Sequence, residues 1–231
     1  MNLYIIYGSE SLLVKPYLDS LASNFICLRI YNNKIPKEKN NFYNLKCDDQ
    51  LTTNLEKIIK ENLNQIKKIY FIGAASIIEK NLFLSSDFDH FERMISTNIN
   101  NYIKITKAIL PFMIRVKHGS IIYLSSFRAI KPTKGTLIYS SSKSFCETFF
   151  KGIGIEYGRF KITSHIIRMG AFDGKMLHGL GTEYIKNINK QISLGREGTA
   201  DELCNTIKFL QENPYTNTGV LEINGGLNID L

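Results

Sequence analysis

The sequence predicts an α/β fold in which helices cover both faces of a doubly wound parallel sheet, with one domain over residues 1–231. Two observations predict this class. Short apolar runs alternate with helical patterns along the whole chain, which is typical of a parallel sheet buried between helices. The chain is also long enough, at ordinary composition, to bury one full core.

The first half of the chain contains four predicted strands and two predicted helices. The strand patterns are residues 3–7, 25–31, 42–45 and 68–72, and the helical patterns are residues 12–23 and 54–64. Pro16 falls in the first turn of the earlier helix, where its missing N–H costs no hydrogen bond. The later helix has apolar residues at helical spacing, which predicts one buried face.

The second half begins with a long predicted helix over residues 88–113, with Asn98 in its middle. Strands follow at 120–124, 163–168 and 220–224, helices at 139–158 and 201–212, and one or two further helices within 176–193. Two successive halves of this kind predict a Rossmann-type sheet. The ligand of such a sheet lies beyond the carboxyl ends of its strands.

The charge of the chain does not identify a macromolecular partner. The formal net charge is +8, but the lysines are dispersed along the sequence. This pattern fits a solvated surface as well as an anionic ligand such as a nucleotide, a sugar nucleotide or an acyl carrier. The sequence has no nucleic-acid-binding motif and no apolar run as long as a membrane span, so we expect neither kind of partner.

The cysteines and histidines predict a reduced protein without a metal site. The four cysteines form no CxxC pair and have no zinc-ligand spacing. His165 and His178 also lack ligand spacing. The N-terminus passes directly into a strand pattern without a basic leader, so we expect a cytoplasmic location.

The stretch from residue 119 to residue 143 carries the predicted chemistry. It reads GSIIYLSSFRAIKPTKGTLIYSSSK, a buried strand that ends in two serines, then a loop and the start of a helix. Tyr139 and Lys143 are four residues apart, so they share one helix face, near Ser126 at the strand's end. A nearby cation favours a phenolate, so we expect Tyr139 to titrate below its usual pKa of about 10 and to transfer protons near neutral pH.

This stretch resembles the short-chain dehydrogenase/reductase family, in its single-domain branch. The upstream segment STNINNYIKITKAILPFM resembles the family's active-site asparagine segment and places Asn98 there. The resemblance implies a catalytic set of Asn98, Ser126, Tyr139 and Lys143. Tyr139 would exchange a proton with the carbonyl oxygen, Ser126 would hold that oxygen, and Lys143 would lower the pKa of Tyr139 and bind the nicotinamide ribose. Asn98 would position a water that links Lys143 to solvent.

The resemblance also implies an NADP or NAD cofactor. The residues that match the family's cofactor-binding positions are Gly8, Ser9, Asn32, Lys34, Asp48, Gly73, Ala74, Tyr139, Lys143 and Gly170. Asn32 carries no charge and Lys34 is cationic, which favours NADP over NAD because an acidic residue there would repel a 2′-phosphate. Asp48 matches a residue that contacts adenine, or it is an ordinary surface residue of its loop.

The first turn departs from the family's glycine-rich pattern. It reads YGSESLLV, which keeps Gly8 but has Leu12 and Val14 at the other two glycine positions. Glycines there let the backbone approach a pyrophosphate, so we expect these two side chains to weaken dinucleotide binding. The segment SHIIRMGAFDGKM likewise has Met169 in place of a proline and keeps Gly170.

Two functions are therefore compatible with the sequence. The favoured one is an NAD(P)-dependent oxidoreductase that interconverts a carbonyl and a secondary alcohol, with a sugar nucleotide or an acyl thioester as substrate. The alternative is a non-redox protein, either a binding subunit or a tyrosine-based acid/base enzyme, that has lost dinucleotide binding. Residues 170–194 form the predicted substrate lid, and the resemblance implies a homodimer or homotetramer built on the helices 88–113 and 139–158.

Overall fold

A computed structural model describes residues 1–21, 24–32, 35–37 and 40–227. Seven parallel strands form one sheet in the order β3-β2-β1-β4-β5-β6-β7, which confirms the predicted doubly wound sheet. The strands are β1 (Asn2–Tyr7), β2 (Phe25–Tyr31), β3 (Phe42–Lys46), β4 (Lys68–Gly73), β5 (Gly119–Ser126), β6 (Ile162–Met169) and β7 (Val220–Ile223). The strand order reverses between β1 and β4, and a crevice for a ligand forms at such a point.

Eight α-helices connect or follow these strands within the described ranges. They are α1 (Lys15–Asp19), α2 (Leu51–Asn62), α3 (Phe88–Ile95), α4 (Asn101–Val116), α5 (Leu137–Tyr157), α6 (Lys175–His178), α7 (Thr182–Asn189) and α8 (Ala200–Glu212). No helix in the described part of the chain is both long enough and apolar enough to cross a membrane.

The core has two layers, one on each face of the sheet. Side chains alternate along β1, so that Leu3, Ile5 and Tyr7 pack into one layer, together with buried residues of α2, α4 and α5. Tyr4 and Ile6 pack into the other layer, together with buried residues of α8. Because helices cover both faces, the central strand is apolar on both sides, as a parallel sheet requires.

Two elements differ from the sequence-based prediction. The predicted helix 12–23 is a 3₁₀ turn, Leu12–Val14, followed by the short α1; residues 22–23 lie outside the described ranges. The predicted helix 88–113 consists of α3 and α4 joined by the π-helical turn Ser96–Asn100. The segment 176–193 contains α7 and most of α6, which agrees with the one or two helices expected there.

Candidate active site

The predicted catalytic side chains meet beyond the carboxyl ends of β4 and β5. Ser126 is the last residue of β5, while Tyr139 and Lys143 lie one turn apart near the start of α5. Asn98 lies in the π-helical turn that precedes α4. Asn98, Tyr139 and Lys143 are all buried, with exposed fractions of 0%, 5% and 3%. The fold therefore brings together polar groups from three separate segments of the chain.

Asn98 joins the segment after β4 to α5. Its side-chain amide accepts a hydrogen bond from Ile77 N and donates one to Ile77 O, both at 2.9 Å. Its Nδ2 also donates to Ser142 Oγ at 3.2 Å, and its Oδ1 accepts from Ser76 Oγ at 3.3 Å. The π-helical turn aims this side chain inward, and the amide then fixes residues 76–77 beside Tyr139. A π-turn inside a helix is often found at a functional site.

The expectation that Tyr139 titrates below its usual pKa is wrong for this structure. Burial raises the pKa of Tyr139 above the usual value, because the phenolate loses its hydration. Hydrogen bonds with the side chains of Ser126 and Ser76, and the charge of Arg128, lower the pKa by a smaller amount. The phenol is therefore protonated at neutral pH and is suited to act as a general acid.

Lys143 is held by the strand that carries Ser126. Its Nζ donates a hydrogen bond to the carbonyl oxygen of Leu124 at 2.9 Å and lies 5.7 Å from the centre of the Tyr139 ring. Burial lowers the pKa of Lys143 to about 8, although Cys146 and Glu147 oppose this shift. Lys143 can therefore lose and regain its proton near neutral pH.

A buried ion pair links α5 to the strands next to the site, and the sequence analysis did not predict it. Glu147, one turn after Lys143, accepts hydrogen bonds from Ser125 Oγ at 2.6 Å and from Arg168 Nη2 at 2.7 Å. Arg168 also pairs with Glu222 of β7. Three strands and α5 are thus linked directly beneath Ser126 and Lys143. Breaking such a pair leaves an uncompensated buried charge, so it fixes the relative positions of these elements.

The turn after β1 is shaped by its contact with the turn after β4. Gly8 has a φ of +88°, and a Cβ there would come within 2.6 Å of Ala75 Cα, so only glycine fits. Ala74 N donates to the carbonyl oxygen of Tyr7 at 2.7 Å, and Ser9 Oγ is 3.5 Å from the carbonyl oxygen of Ile30. Gly8, Ser9 and Ala74 therefore line the point where the strand order reverses.

The two residues that replace glycines in this turn have different environments. Val14 is fully buried in the core layer formed with α8, whereas Leu12 is 51% exposed. The expectation that both side chains stand in the path of a dinucleotide is therefore corrected for Val14, which points into the core. Of these two side chains, that of Leu12 projects from the turn.

Four other predicted cofactor residues have structural contacts of their own. Asp48 Oδ1 accepts a hydrogen bond from Gln50 N at 3.0 Å, just before α2. A Cβ on Gly73 would overlap the Tyr102 ring, and one on Gly170 would come within 2.8 Å of Asn224 Cα. Asn32 lies at the end of β2, and Lys34 lies outside the described residues. These glycines are required by packing.

Sequence reasoning missed three polar residues at this edge of the sheet and placed a fourth, Tyr184, only in the predicted lid. Ser76 contacts Asn98 and Tyr139, and the charge of Arg128 lowers the pKa of Tyr139. Glu10 Oε2 accepts a hydrogen bond from Asn32 N at 3.2 Å, and Tyr184 on α7 accepts one from Arg128 Nη2 at 3.1 Å. Each of the three hydrogen bonds joins residues at least 22 positions apart, so no local pattern predicts it. For Tyr184, its position in the predicted lid was the one feature of the sequence that indicated a role at the site.

A family model described as Enoyl-(Acyl carrier protein) reductase matches residues 32–228. The chain belongs to the short-chain dehydrogenase/reductase family. It is an oxidoreductase of that family. The match begins after the altered turn at residues 8–14, so the rest of the chain carries the family signal.

Curated relatives of this short-chain dehydrogenase/reductase include two reductases. The 3-oxoacyl-[acyl-carrier-protein] reductase of Bos taurus is 29% identical over 173 residues, which cover 75% of this chain and 71% of that protein. Carbonyl reductase family member 4 of Xenopus laevis is 29% identical over 188 residues, which cover 81% of this chain and 78% of that protein.

Solved structures of the family share the fold at low identity. A 4-hydroxyisoleucine dehydrogenase complexed with NADH superimposes with a TM-score of 0.86 and 18% identity, covering 100% of both chains. ElxO with NADP bound has a TM-score of 0.83 and 20% identity, covering 98% of both chains. Cofactor-bound relatives thus exist for both dinucleotides.

Proposed function

We propose that this protein interconverts a carbonyl and a secondary alcohol by hydride transfer with NADP or NAD. The observation that carries the proposal is the convergence of Asn98, Ser126, Tyr139 and Lys143 beyond β4 and β5. The crevice between β1 and β4 is where a Rossmann-type sheet binds its dinucleotide, and the glycine at position 8 lines it. The bound dinucleotide would supply or accept the hydride.

The chain's own residues would orient the substrate and move the proton. Ser126 Oγ holds the substrate oxygen beside Tyr139, whose raised pKa keeps the phenol protonated and ready to donate. Lys143 replaces that proton, because its pKa of about 8 lets it release one near neutral pH. Asn98 keeps residues 76–77 in place, and its role in positioning a water next to Lys143 stays a prediction.

The preference between the two cofactors rests on charges at the end of β2. Uncharged Asn32 and cationic Lys34 favour NADP in the sequence. The carboxylate of Glu10 reaches the backbone of Asn32 and brings a negative charge to the same place, which favours NAD. We therefore propose that the protein prefers NADP over NAD, but by less than the sequence alone indicates.

The names of the relatives favour one of the two substrate classes. The names of the family model and of the bovine relative both include acyl carrier protein. These names support an acyl thioester over a sugar nucleotide as the substrate. The lid contains α6 and α7, and α7 is held over the site by Tyr184. Its Lys175, His178 and Glu183 are exposed, so they decide little about the substrate.

We also propose a cytoplasmic homodimer or homotetramer. Buried thiols such as Cys146 and Cys204 stay reduced in the cytoplasm. The outer face of α5 is apolar and forms a groove with the loop after β5, with a volume of about 660 Å³. A second copy of this helix would cover that groove.

The proposal is tested by cofactor binding and turnover. The fluorescence of NADPH or NADH should change on addition of the protein, and a 3-oxoacyl thioester should then oxidise the bound cofactor. Tyr139→Phe should bind the cofactor but not consume it. If neither dinucleotide binds, the non-redox alternative becomes the better account.

A further inference from the structure

The turn after β5 brings Arg128 to the edge of the site, next to Ser126. Arg128 lies in the 3₁₀ turn Phe127–Ala129, and its amide donates a hydrogen bond to Ser126 Oγ at 3.2 Å. Ser144 of α5 donates to the carbonyl oxygen of Ala129, so the turn is fixed to the helix that carries Tyr139. The positive charge of Arg128 also lowers the pKa of the Tyr139 phenol, by less than burial raises it.

The chain uses only part of this guanidinium. Nη2 donates to the Tyr184 hydroxyl at 3.1 Å, and the central carbon lies 4.7 Å from the centre of the Phe127 ring. Nη1 is buried and has no hydrogen-bond partner among the described residues. No carboxylate in the described ranges forms an ion pair with Arg128. A buried N–H without an acceptor is costly, so this donor is suited to a ligand.

Tyr184 connects the guanidinium to the lid. It packs, with Phe127, against an apolar cluster of α6 and α7 that includes Leu177 and Ile188. Lys80 Nζ lies 4.2 Å from the centre of the Tyr184 ring. Two cations therefore contact one phenol at the edge of the site, and the local potential favours an anion there.

We infer that Arg128, oriented by Tyr184, forms a carboxylate-binding subsite, and that the substrate is a small oxo acid or hydroxy acid. Nη1 donates to a carboxylate oxygen while the reacting oxygen lies between Ser126 and Tyr139. A guanidinium suits a carboxylate because its N–H groups form a planar fork. The inference rests on the proposed carbonyl–alcohol chemistry, but it takes a free acid as the substrate instead of the acyl thioester that the relatives' names support.

A matched pair of substrates isolates this subsite. We would measure kcat/KM for oxidation of 3-hydroxybutanoate and of its methyl ester, which has the same reacting carbon but no charge. The wild type should favour the acid, and Arg128→Met should reduce the acid-to-ester ratio by about 10- to 100-fold, the effect of losing a charged hydrogen bond. The ratio cancels any effect of Arg128 on Tyr139 that both substrates share.

Two further variants separate the subsite from general charge and from orientation. Lys134→Met removes an exposed cation from the same loop and should leave the ratio unchanged. Tyr184→Phe removes the hydroxyl that holds Nη2 and should reduce the ratio less than Arg128→Met does. The subsite would be overturned if the wild type had equal kcat/KM values for the ester and the acid. It would also be overturned if Arg128→Met left the acid-to-ester ratio unchanged.

Ligand-observed NMR with 3-hydroxybutanoate provides a readout that needs no turnover. If the wild type binds 3-hydroxybutanoate and Arg128→Met does not, the subsite is supported even when neither substrate reacts. In that case the proposed reaction is overturned and the subsite is kept. Turnover with a ratio independent of Arg128 overturns the subsite and keeps the reaction. Absence of both turnover and Arg128-dependent binding overturns both.

Discussion

The ammonium of Lys143 donates a hydrogen bond to the carbonyl oxygen of Leu124 at 2.9 Å. Leu124 lies two residues before Ser126, so this bond ties α5 to the strand that carries the serine. Burial raises the pKa of the Tyr139 hydroxyl, and Ser126, Ser76 and Arg128 lower it by a smaller amount. The two members of the Tyr-x-x-x-Lys pair thus have separate local partners.

Replacing Tyr139 with phenylalanine should remove most of the turnover. The variant loses the proton donor, and general acid catalysis contributes about 100- to 10,000-fold. The fold should persist, because one hydroxyl is lost and its hydrogen bonds contribute about 1–2 kcal/mol to the free energy of unfolding. Steady-state kinetics and thermal unfolding measure the two effects.

Tyr17→Phe is the matched control for this variant. Tyr17 is also buried, and its hydroxyl hydrogen-bonds Gln211 on α8, on the other side of the sheet from α5. This control should lose similar stability and keep its activity. A Tyr139→Phe enzyme with full activity would show that another group donates the proton.

Lys143 should make the free energy of unfolding depend on pH between about 8 and 10. The pKa of Lys143 is about 8 in the folded protein and 10.5 ordinarily, so in this range the unfolded chain binds the proton and the folded chain does not. Stability rises with pH wherever the unfolded state binds more protons. Wild type should therefore gain about 2 kcal/mol relative to Lys143→Met between pH 7 and pH 10.

Chemical unfolding of both proteins at several pH values measures this difference. The other buried tyrosines are common to both proteins, so their contributions cancel. A difference in free energy that does not change with pH would show that Lys143 keeps an ordinary pKa in the folded protein.

The sequence predicted the strands and the polar set of the site because both follow from local patterns. The apolar runs set the strands, and the spacing of Ser126, Tyr139 and Lys143 follows from a strand end and a helix turn. The environment of these groups depends on distant contacts. Glu147 meets Arg168 across 21 residues, and Ser76 meets Asn98 across 22. The expected low pKa of Tyr139 was wrong because the pattern carries no information on burial.

Replacement with glycine should mainly affect stability at Val14 and mainly affect NADPH binding at Leu12. Val14 is fully buried, so Val14→Gly removes core packing and should cost about 2–3 kcal/mol of the free energy of unfolding. Leu12 is 51% exposed, so Leu12→Gly should cost less and should tighten NADPH binding by opening the turn. Denaturant unfolding and calorimetric titration with NADPH test both variants. Unchanged affinity in Leu12→Gly would show that its side chain lies outside the path of the pyrophosphate.

Glu10 should reduce the affinity for NADPH relative to NADH. Its carboxylate lies 3.2 Å from Asn32 N, at the strand end where a 2′-phosphate would bind. Glu10→Gln removes this negative charge and should raise the NADPH-to-NADH affinity ratio. Asp48→Asn is the control, because adenine is common to both cofactors and the ratio should stay constant. A ratio that Glu10→Gln leaves unchanged would place the 2′-phosphate elsewhere.

The outer face of α5 should mediate assembly. Phe145 is 46% exposed and stacks with Phe149 at a ring-centre distance of 6.5 Å, and both line the groove beside the loop after β5. Phe150 and Ile153 of the same helix are buried in the protomer's own core, so they are not available to a partner. Phe145 and Phe149 still leave an apolar patch that a second α5 would cover.

Light scattering at micromolar concentration should give the mass of a dimer or tetramer for the wild type. Phe145→Asp puts a charge into the contact and should give a folded monomer. Phe209→Asp changes an equally exposed phenylalanine on α8, at 50% exposure, and should leave the assembly through α5 intact. A monomeric wild type, or an oligomer that survives Phe145→Asp, would show that α5 is not the contact surface.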